Sequence, residues 1–103
     1  MPLPEQTPEQ RAAALAKAAE ARKVRAEIKQ LLKSGSITLS EVLNRSGDDA
    51  FIAGLKVESV LESMPGLGKI KAKRLMESLD IASNRRLRGL GDRQRQALLA
   101  ELG

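Results

Sequence analysis

The apolar positions between Thr7 and Lys33 recur at helical spacing, and nothing in the segment breaks a helix. Thr7 suits the N-cap, and Pro8 suits the first helical position, where a backbone N–H is not needed. Gln10 completes a capping box with Thr7. Gly35 can adopt the left-handed conformation that ends a helix. The pattern therefore predicts one uninterrupted helix of about 25 residues, nearly 40 Å long.

The two halves of this helix differ in apolar content. The second half carries a stripe on one face, formed by Val24, Ile28, Leu31 and Leu32. Before that stripe, Leu15 is the only large apolar residue. We expect the second half to pack on the rest of the molecule and the first half to project from it.

Shorter apolar-periodic segments follow, separated by Gly, Ser, Asp and Pro residues typical of turns. Thr38 can cap one short helix, and Asp48 or Asp49 can cap the next. The remaining helices are predicted over 56–64, from a turn at 65–68 to about residue 79, over 84–87, and over 92–102, where Asp92 is a suitable N-cap. No segment sustains the alternation of a β-strand. The predicted fold is all-α, a compact bundle of short helices with the long N-terminal helix partly across it.

Composition supports this class and excludes several kinds of chemistry. The chain has 42% hydrophobic residues but only one aromatic, Phe51, so the core must consist of aliphatic side chains, which favours helices over sheets. It has no Cys and no His, which excludes disulfides, zinc fingers and Cys/His nucleophiles. We predict no metal and no cofactor. No apolar run is long enough to cross a bilayer and no signal peptide is recognisable, so we expect a cytoplasmic protein.

The charge is unevenly distributed along the chain. The net charge is +5, with +3 in residues 1–33, −3 in residues 34–68 and +5 in residues 69–103. A basic protein with its cations gathered in two regions is expected to bind a polyanion. The alternative is a solvated charge that serves solubility alone.

The stretch MPGLGKIKAKRL, residues 64–75, combines helix-breaking residues with clustered cations. Pro65 ends one helix, and the two glycines allow a tight turn and close approach of a ligand to the backbone. Free N–H groups at the start of the next helix, with Lys69 beside them, would hold a phosphate. The candidate contacts are Pro65, Gly66, Leu67, Gly68, Lys69, Lys71 and Lys73. The alternative is an interhelical turn with no ligand.

The spacing of this stretch resembles the hairpin of helix-hairpin-helix and helix-two-turn-helix elements, whose pattern is apolar-x-x-apolar-Pro-Gly-apolar-Gly followed by Ala. Here the pattern runs from Leu61 through Pro65 to Ala72. Hairpins of this kind grip the nucleic-acid backbone and are indifferent to sequence. Ala72, Leu75, Met76 and Leu79 form the core face of the helix that follows the turn. Ile70 points away from that face, so it contacts another helix or the ligand.

A second cationic cluster is the run Arg85, Arg86 and Arg88, in which Leu87 would anchor the segment. Planar guanidiniums can bind phosphates in a forked geometry or enter a narrow minor groove. We expect Arg93 and Arg95 to extend this surface. The Gly-Leu-Gly repeat that follows at 89–91 precedes Asp92, whose charge would repel a phosphate, so we interpret it as a structural turn. The alternative for the cluster is a set of solvated arginines.

Three blocks give the chain a resemblance to the actinobacterial integration host factors, over nearly its whole length. Their motif LTPEQRAAAL is matched by residues 6–15, LPKVGKVRA by residues 64–72, and RRLRGLGDRQRKALL by residues 85–99. The last block is the most specific. One departure is Gly66, where the family pattern has Lys, so the hairpin here has one charge fewer.

The resemblance implies an all-α nucleoid-associated protein that binds duplex DNA with little sequence preference, bends it, and assists phage integrase in recombination. Residues 35–103 would then be a helical DNA-binding domain, and residues 1–34 a disordered tip and a long basic helix. We expect a monomer located at the nucleoid. The main alternative is an RNA-binding helix-two-turn-helix protein, as in the ribosome. An enzyme is disfavoured because the small core offers no pocket with a placed Asp or Lys, and a membrane-surface role because the N-terminal helix lacks a large apolar face.

Overall fold

The computed structural model describes residues 7–102, and the disorder predicted for residues 1–6 lies outside this range. Within it the chain forms six α-helices and one short 3₁₀ helix. They are α1 (Pro8–Lys33), α2 (Leu39–Ser46), α3 (Ala50–Ala53), α4 (Val57–Glu62), α5 (Gly68–Ser78), the 3₁₀ helix (Leu87–Gly89) and α6 (Asp92–Leu102). The all-α prediction is confirmed for the described residues.

The long helix begins and ends as its sequence predicts. The Gln10 N–H donates to the Thr7 hydroxyl at 3.1 Å, and the Thr7 N–H donates to the Gln10 side-chain oxygen at 3.0 Å, which completes the capping box. Gly35 lies just beyond the last turn at φ +74°. With 26 residues, α1 is about 39 Å long.

Only the second half of α1 is packed against the other helices. Residues 8–20 are all exposed, whereas Ile28 and Leu32 are buried in the core and Val24 and Leu31 pack against its edge. The projecting first half and the packed second half were both predicted. A functional division at residue 34 stays a prediction, because α1 shares one core with the helices after it.

The core is centred on α4, a short helix that contacts both α1 and α5. Val57, Val60 and Leu61 of α4 are at most 2% exposed. On α5, Ala72 and Met76 are buried on the face predicted to meet the core. Burial of each large aliphatic side chain stabilises the fold by about 1.5–3 kcal/mol. This packing fixes the orientation of α5 and the turn before it.

The helix predicted over residues 84–87 is wrong. Arg86 is extended, with φ −102° and ψ 162°, and the 3₁₀ helix begins only at Leu87. The reason is tertiary pairing: the Val57 N–H donates to the Arg85 carbonyl at 3.0 Å, and the Leu87 N–H donates to the Leu55 carbonyl at 2.9 Å. These bonds form an isolated antiparallel bridge between Lys56 and Arg86, the only β-pairing in the described residues.

At two helix starts the structure adds detail: it selects one of the two predicted caps of α3 and corrects the predicted cap of α6. Asp49, and not Asp48, caps α3, because its carboxylate accepts from the N–H of Phe51 at 2.9 Å. Asp92 is the first residue of α6 and not its cap. The Gly91 N–H before it donates instead to the Gln94 side chain at 3.1 Å.

Candidate nucleic-acid interface

The turn that joins α4 to α5, residues 64–68, depends on the backbone torsions of two glycines. Gly66 and Gly68 adopt φ +78° and φ +72°, a region that L side chains rarely occupy. No atom lies within 4 Å of the position that a Cβ would take at either residue. Glycine is therefore required here for its torsion and not for lack of space, and the turn faces open solvent. We call residues 65–69 the hairpin.

The first turn of α5 is open at its N-terminus. Its N-cap residue, Leu67, makes no side-chain cap hydrogen bond, whereas α1, α2 and α3 are each capped by a side chain. Leu67 is half-buried against the core, so it cannot cover the helix end. The N–H groups of the first turn are left for an outside acceptor, and the helix dipole favours an anion there.

The three candidate lysines of α5 are all exposed, but they do not form one cluster. Lys69 is the last residue of the hairpin. Lys73 lies one turn further along the same flank, in a pocket of about 260 Å³ that Glu58 and Glu77 also line, so its charge is partly offset. Lys71 lies on the other flank of the helix, given 3.6 residues per turn. Only Lys69 is placed to act together with the hairpin backbone.

Ile70 is 70% exposed, in the first turn of α5. It therefore does not pack on another helix, which was one of the two alternatives predicted for this side chain. The second alternative was contact with a ligand. A large apolar side chain exposed to water beside an open helix end agrees with that alternative.

In the arginine segment, Arg85–Arg88, backbone carbonyl oxygens hold two guanidiniums. Arg85 Nη1 donates to the carbonyl of Gly89 at 2.8 Å, and Arg86 Nη1 donates to the carbonyl of Gly54 at 2.5 Å. Leu87 is 1% exposed and anchors the segment, as predicted. Because the acceptors are carbonyls and not carboxylates, both positive charges are oriented without being neutralised.

Gly89 also provides the space that the Arg85 side chain occupies. A Cβ at Gly89 would lie 3.0 Å from Cδ of Arg85, which is too close without movement of the side chain. The second Gly-Leu-Gly was predicted to be a structural turn. In the structure, Gly89 lies directly against the Arg85 side chain.

The remaining candidate, Arg93, is exposed in the first turn of α6, beside Asp92. Its neighbour Arg95 is half-buried, and the Nε of Arg95 is buried with no hydrogen-bond partner. Arg93 can therefore extend the cationic surface, whereas Arg95, for which the same role was predicted, is part of the packing.

Sequence reasoning missed three cations that surround Arg86. Arg25 and Lys29 of α1, together with Lys56 at the start of α4, line one polar groove with it. These residues are far apart in the sequence, so no local motif joins them. The one available signal was the spacing of Arg25 and Lys29, one turn apart beside the apolar stripe of α1.

Residues 7–102 contain neither a membrane-spanning helix nor a cluster of metal ligands. None of the helices there is both long and apolar enough to cross a membrane. No group of three or more acidic side chains in this part of the chain is placed to hold a metal ion.

Comparison with known proteins gives consistent matches. Residues 32–102 match the family described as the S13-like H2TH domain. The integration host factor of Mycobacterium tuberculosis is 53% identical over 103 residues, covering 100% of this chain and 98% of that protein. The integration host factor of Streptomyces coelicolor is 50% identical over 103 residues, covering 100% and 96%.

A solved structure gives the same result for the fold. It is described as sIHF bound to an 8-bp palindromic DNA, and it superposes with a TM-score of 0.82 at 45% identity. The match covers 85% of this chain and 99% of that one.

Proposed function

The chain belongs to the family of actinobacterial integration host factors, and we propose that it is an architectural protein that binds duplex DNA through backbone contacts and bends it. The observation that carries the proposal is the position of two cationic surfaces. The hairpin follows the C-terminal end of α4. The arginine segment is paired with Lys56, at the N-terminal end of the same helix.

Each surface suits a phosphate. The hairpin offers main-chain N–H groups, which bind phosphate oxygens without regard to sequence. The arginine segment offers guanidiniums of fixed orientation, which bind phosphates in a forked geometry. We assign the backbone contacts to the residues predicted from the sequence: Pro65, Gly66, Leu67, Gly68, Lys69, Lys71, Lys73, Arg85, Arg86, Arg88 and Arg93.

Two separate contacts can bend a duplex, whereas a single contact only holds it. Smooth bending of a site of 20–30 bp costs on the order of 1–6 kcal/mol. Several charged contacts to phosphates, each releasing counterions, can offset this cost. Ile70 beside the hairpin adds an apolar side chain at the DNA surface, and such side chains favour kinks when they press between base steps.

The proposal also covers the oligomeric state, the location and the protein partner that the family resemblance implies. The protein acts as a monomer on chromosomal DNA in the nucleoid, has no catalytic activity of its own, and assists phage integrase in site-specific recombination. Residues 35–103 are the DNA-binding domain. The second candidate function is RNA binding, since the matching domain family is described as S13-like.

A gel-shift series with straight, pre-bent and nicked duplexes of equal length tests the proposal. We expect the pre-bent and nicked duplexes to bind more tightly, because part of the bending cost is already met, and affinity to fall steeply with salt. Duplex RNA of the same length serves as competitor. Equal affinity for all three DNA duplexes would contradict bending, and stronger competition by RNA would favour the second candidate.

A further inference from the structure

A groove on the α1 side of the arginine segment is lined by cations from three parts of the chain. Arg25 and Lys29 come from α1, Lys56 from the start of α4, and Arg86 from the arginine segment. Gly54 and the half-buried Ser59 complete the lining, and the groove has a volume of about 320 Å³. Its four charged lining residues all carry the same sign.

The backbone beneath each cation is fixed by packing or pairing. Ile28 and Leu32 are buried, so the rotation of α1 is set and its Arg25 and Lys29 lie on the groove side. Lys56 is held by its bridge to Arg86, whose guanidinium is bonded to the Gly54 carbonyl. The groove is therefore part of the folded structure and not a chance meeting of long side chains.

The acidic side chains nearest in sequence line other cavities. Glu27, between the two α1 cations, faces a shallow groove with Gln30 and Leu31. Glu58, two residues after Lys56, lines the pocket with Lys73. Four like charges in one groove repel each other, and a bound anion relieves that repulsion.

We propose that this groove is a third DNA-contact site, which takes a phosphodiester group from the same duplex that the arginine segment holds. The inference rests on the proposed function and extends it to α1. A groove of this volume accepts a backbone group and is far too small for a duplex. Because Arg86 belongs to both surfaces, a strand held by the arginine segment passes directly over the mouth of the groove. The DNA-binding surface then extends beyond residues 35–103, to Arg25 and Lys29.

The test compares two double variants of α1 that lose the same charge. R25Q/K29Q removes the groove cations, whereas K23Q/K33Q removes two exposed cations of the same helix that do not line the groove. Binding to a duplex of about 20 bp is measured by fluorescence anisotropy at several salt concentrations. Relative to K23Q/K33Q, we expect R25Q/K29Q to bind about 10-fold more weakly and to lose one to two further units of the log K against log [salt] slope.

Equal losses in the two variants, with wild-type binding intact, would overturn the third site and leave the proposed function standing. A wild type that ignores duplex DNA would overturn both. A measurement on the wild type does not depend on the folding of a variant: the side-chain N–H resonances of Arg25 and Lys29 should shift when duplex is added. Unshifted resonances would count against the site.

Inorganic triphosphate tests whether the groove binds the DNA backbone or a free polyphosphate. We expect it to bind the groove weakly and to compete with duplex DNA only at high concentration. Tight triphosphate binding that R25Q/K29Q abolishes, together with unchanged duplex binding by that variant, would show that the groove serves a free polyphosphate, and the proposal would be wrong.

Discussion

The hairpin and the arginine segment flank the same short helix, but they present positive charge by different means. At the hairpin, two glycine torsions shape the main chain, and its N–H groups are the fixed donors. Its lysine is an exposed side chain on a long stem. At the arginine segment the fixed groups are the side chains: two guanidiniums are bonded to carbonyl oxygens, and the main chain beneath them is paired with residues 55–57.

This difference predicts how strongly each surface binds. A free Lys or Arg side chain carries about 2 kcal/mol of rotamer entropy, part of which is lost when it binds. Arg85 and Arg86 have already lost part of that freedom in folding, so their charges bind a phosphate at lower entropic cost. At the hairpin, only the main-chain N–H groups are already fixed by folding, so only they bind a phosphate at a similarly low entropic cost. We therefore expect the arginine segment to contribute more to affinity, and the hairpin to fix the position of the backbone.

The largest effect is expected from removing the charges of the arginine segment. R85A/R86A/R88A should weaken duplex binding roughly 100-fold and flatten the log K against log [salt] slope by about two to three units. The control K23Q/K33Q/R45Q removes the same charge from exposed positions elsewhere. Anisotropy titrations at several salt concentrations measure both. Similar slopes in the two variants would remove the arginine segment from the interface.

A smaller effect is expected from placing a negative charge in the hairpin. Gly68→Asp and Gly68→Asn have side chains of nearly equal size, and both residues tolerate a positive φ, at a stability cost of about 1 kcal/mol. Thermal melts should therefore agree between them, whereas the carboxylate of Gly68→Asp repels a phosphate at the open end of α5. We expect Gly68→Asp to bind duplex about 10-fold more weakly than Gly68→Asn. If the two variants bind alike, the hairpin does not contact phosphate.

The smallest effect tests whether orientation of an arginine matters apart from its charge. Gly89→Ala keeps every charge but brings a methyl group to 3.0 Å from Cδ of Arg85, so the side chain must shift by a few tenths of an ångström, which disturbs its hydrogen bond to the Gly89 carbonyl. We expect a loss of affinity of a few-fold with an unchanged salt slope, because the number of phosphate contacts is kept. Gly47→Ala is the control, since its methyl group meets only the Asn44 carbonyl at 3.5 Å. Equal affinities would show that orientation of Arg85 adds nothing.

Local patterns in the sequence predicted most of the fold. The capping box of α1, the glycines of the hairpin and the buried face of α5 each follow from residues a few positions apart, and such features can be predicted from one sequence. The error at residues 84–87 has the opposite origin. Its extended conformation depends on hydrogen bonds to Leu55 and Val57, about 30 residues earlier, which no local periodicity reveals.

The same distinction applies to the candidate site. Lys69 and the hairpin are contiguous in sequence, and their motif identified them. Lys71 and Lys73 belong to the same stretch, yet the helix turns them to different flanks. Arg25 and Lys29 were missed because only tertiary packing brings α1 beside Arg86. A charge cluster in the sequence thus does not show which cations share a surface once the chain is folded.

The length of α4 sets the spacing of the two surfaces. With six residues, it places about 9 Å of rigid helix between the pairing at Lys56 and the turn at Pro65. Under the proposed function, two phosphates held at this spacing constrain the path of the DNA between them. One added turn of α4 would move the two surfaces about 5 Å further apart, so the proposed bending would change with the length of this buried helix.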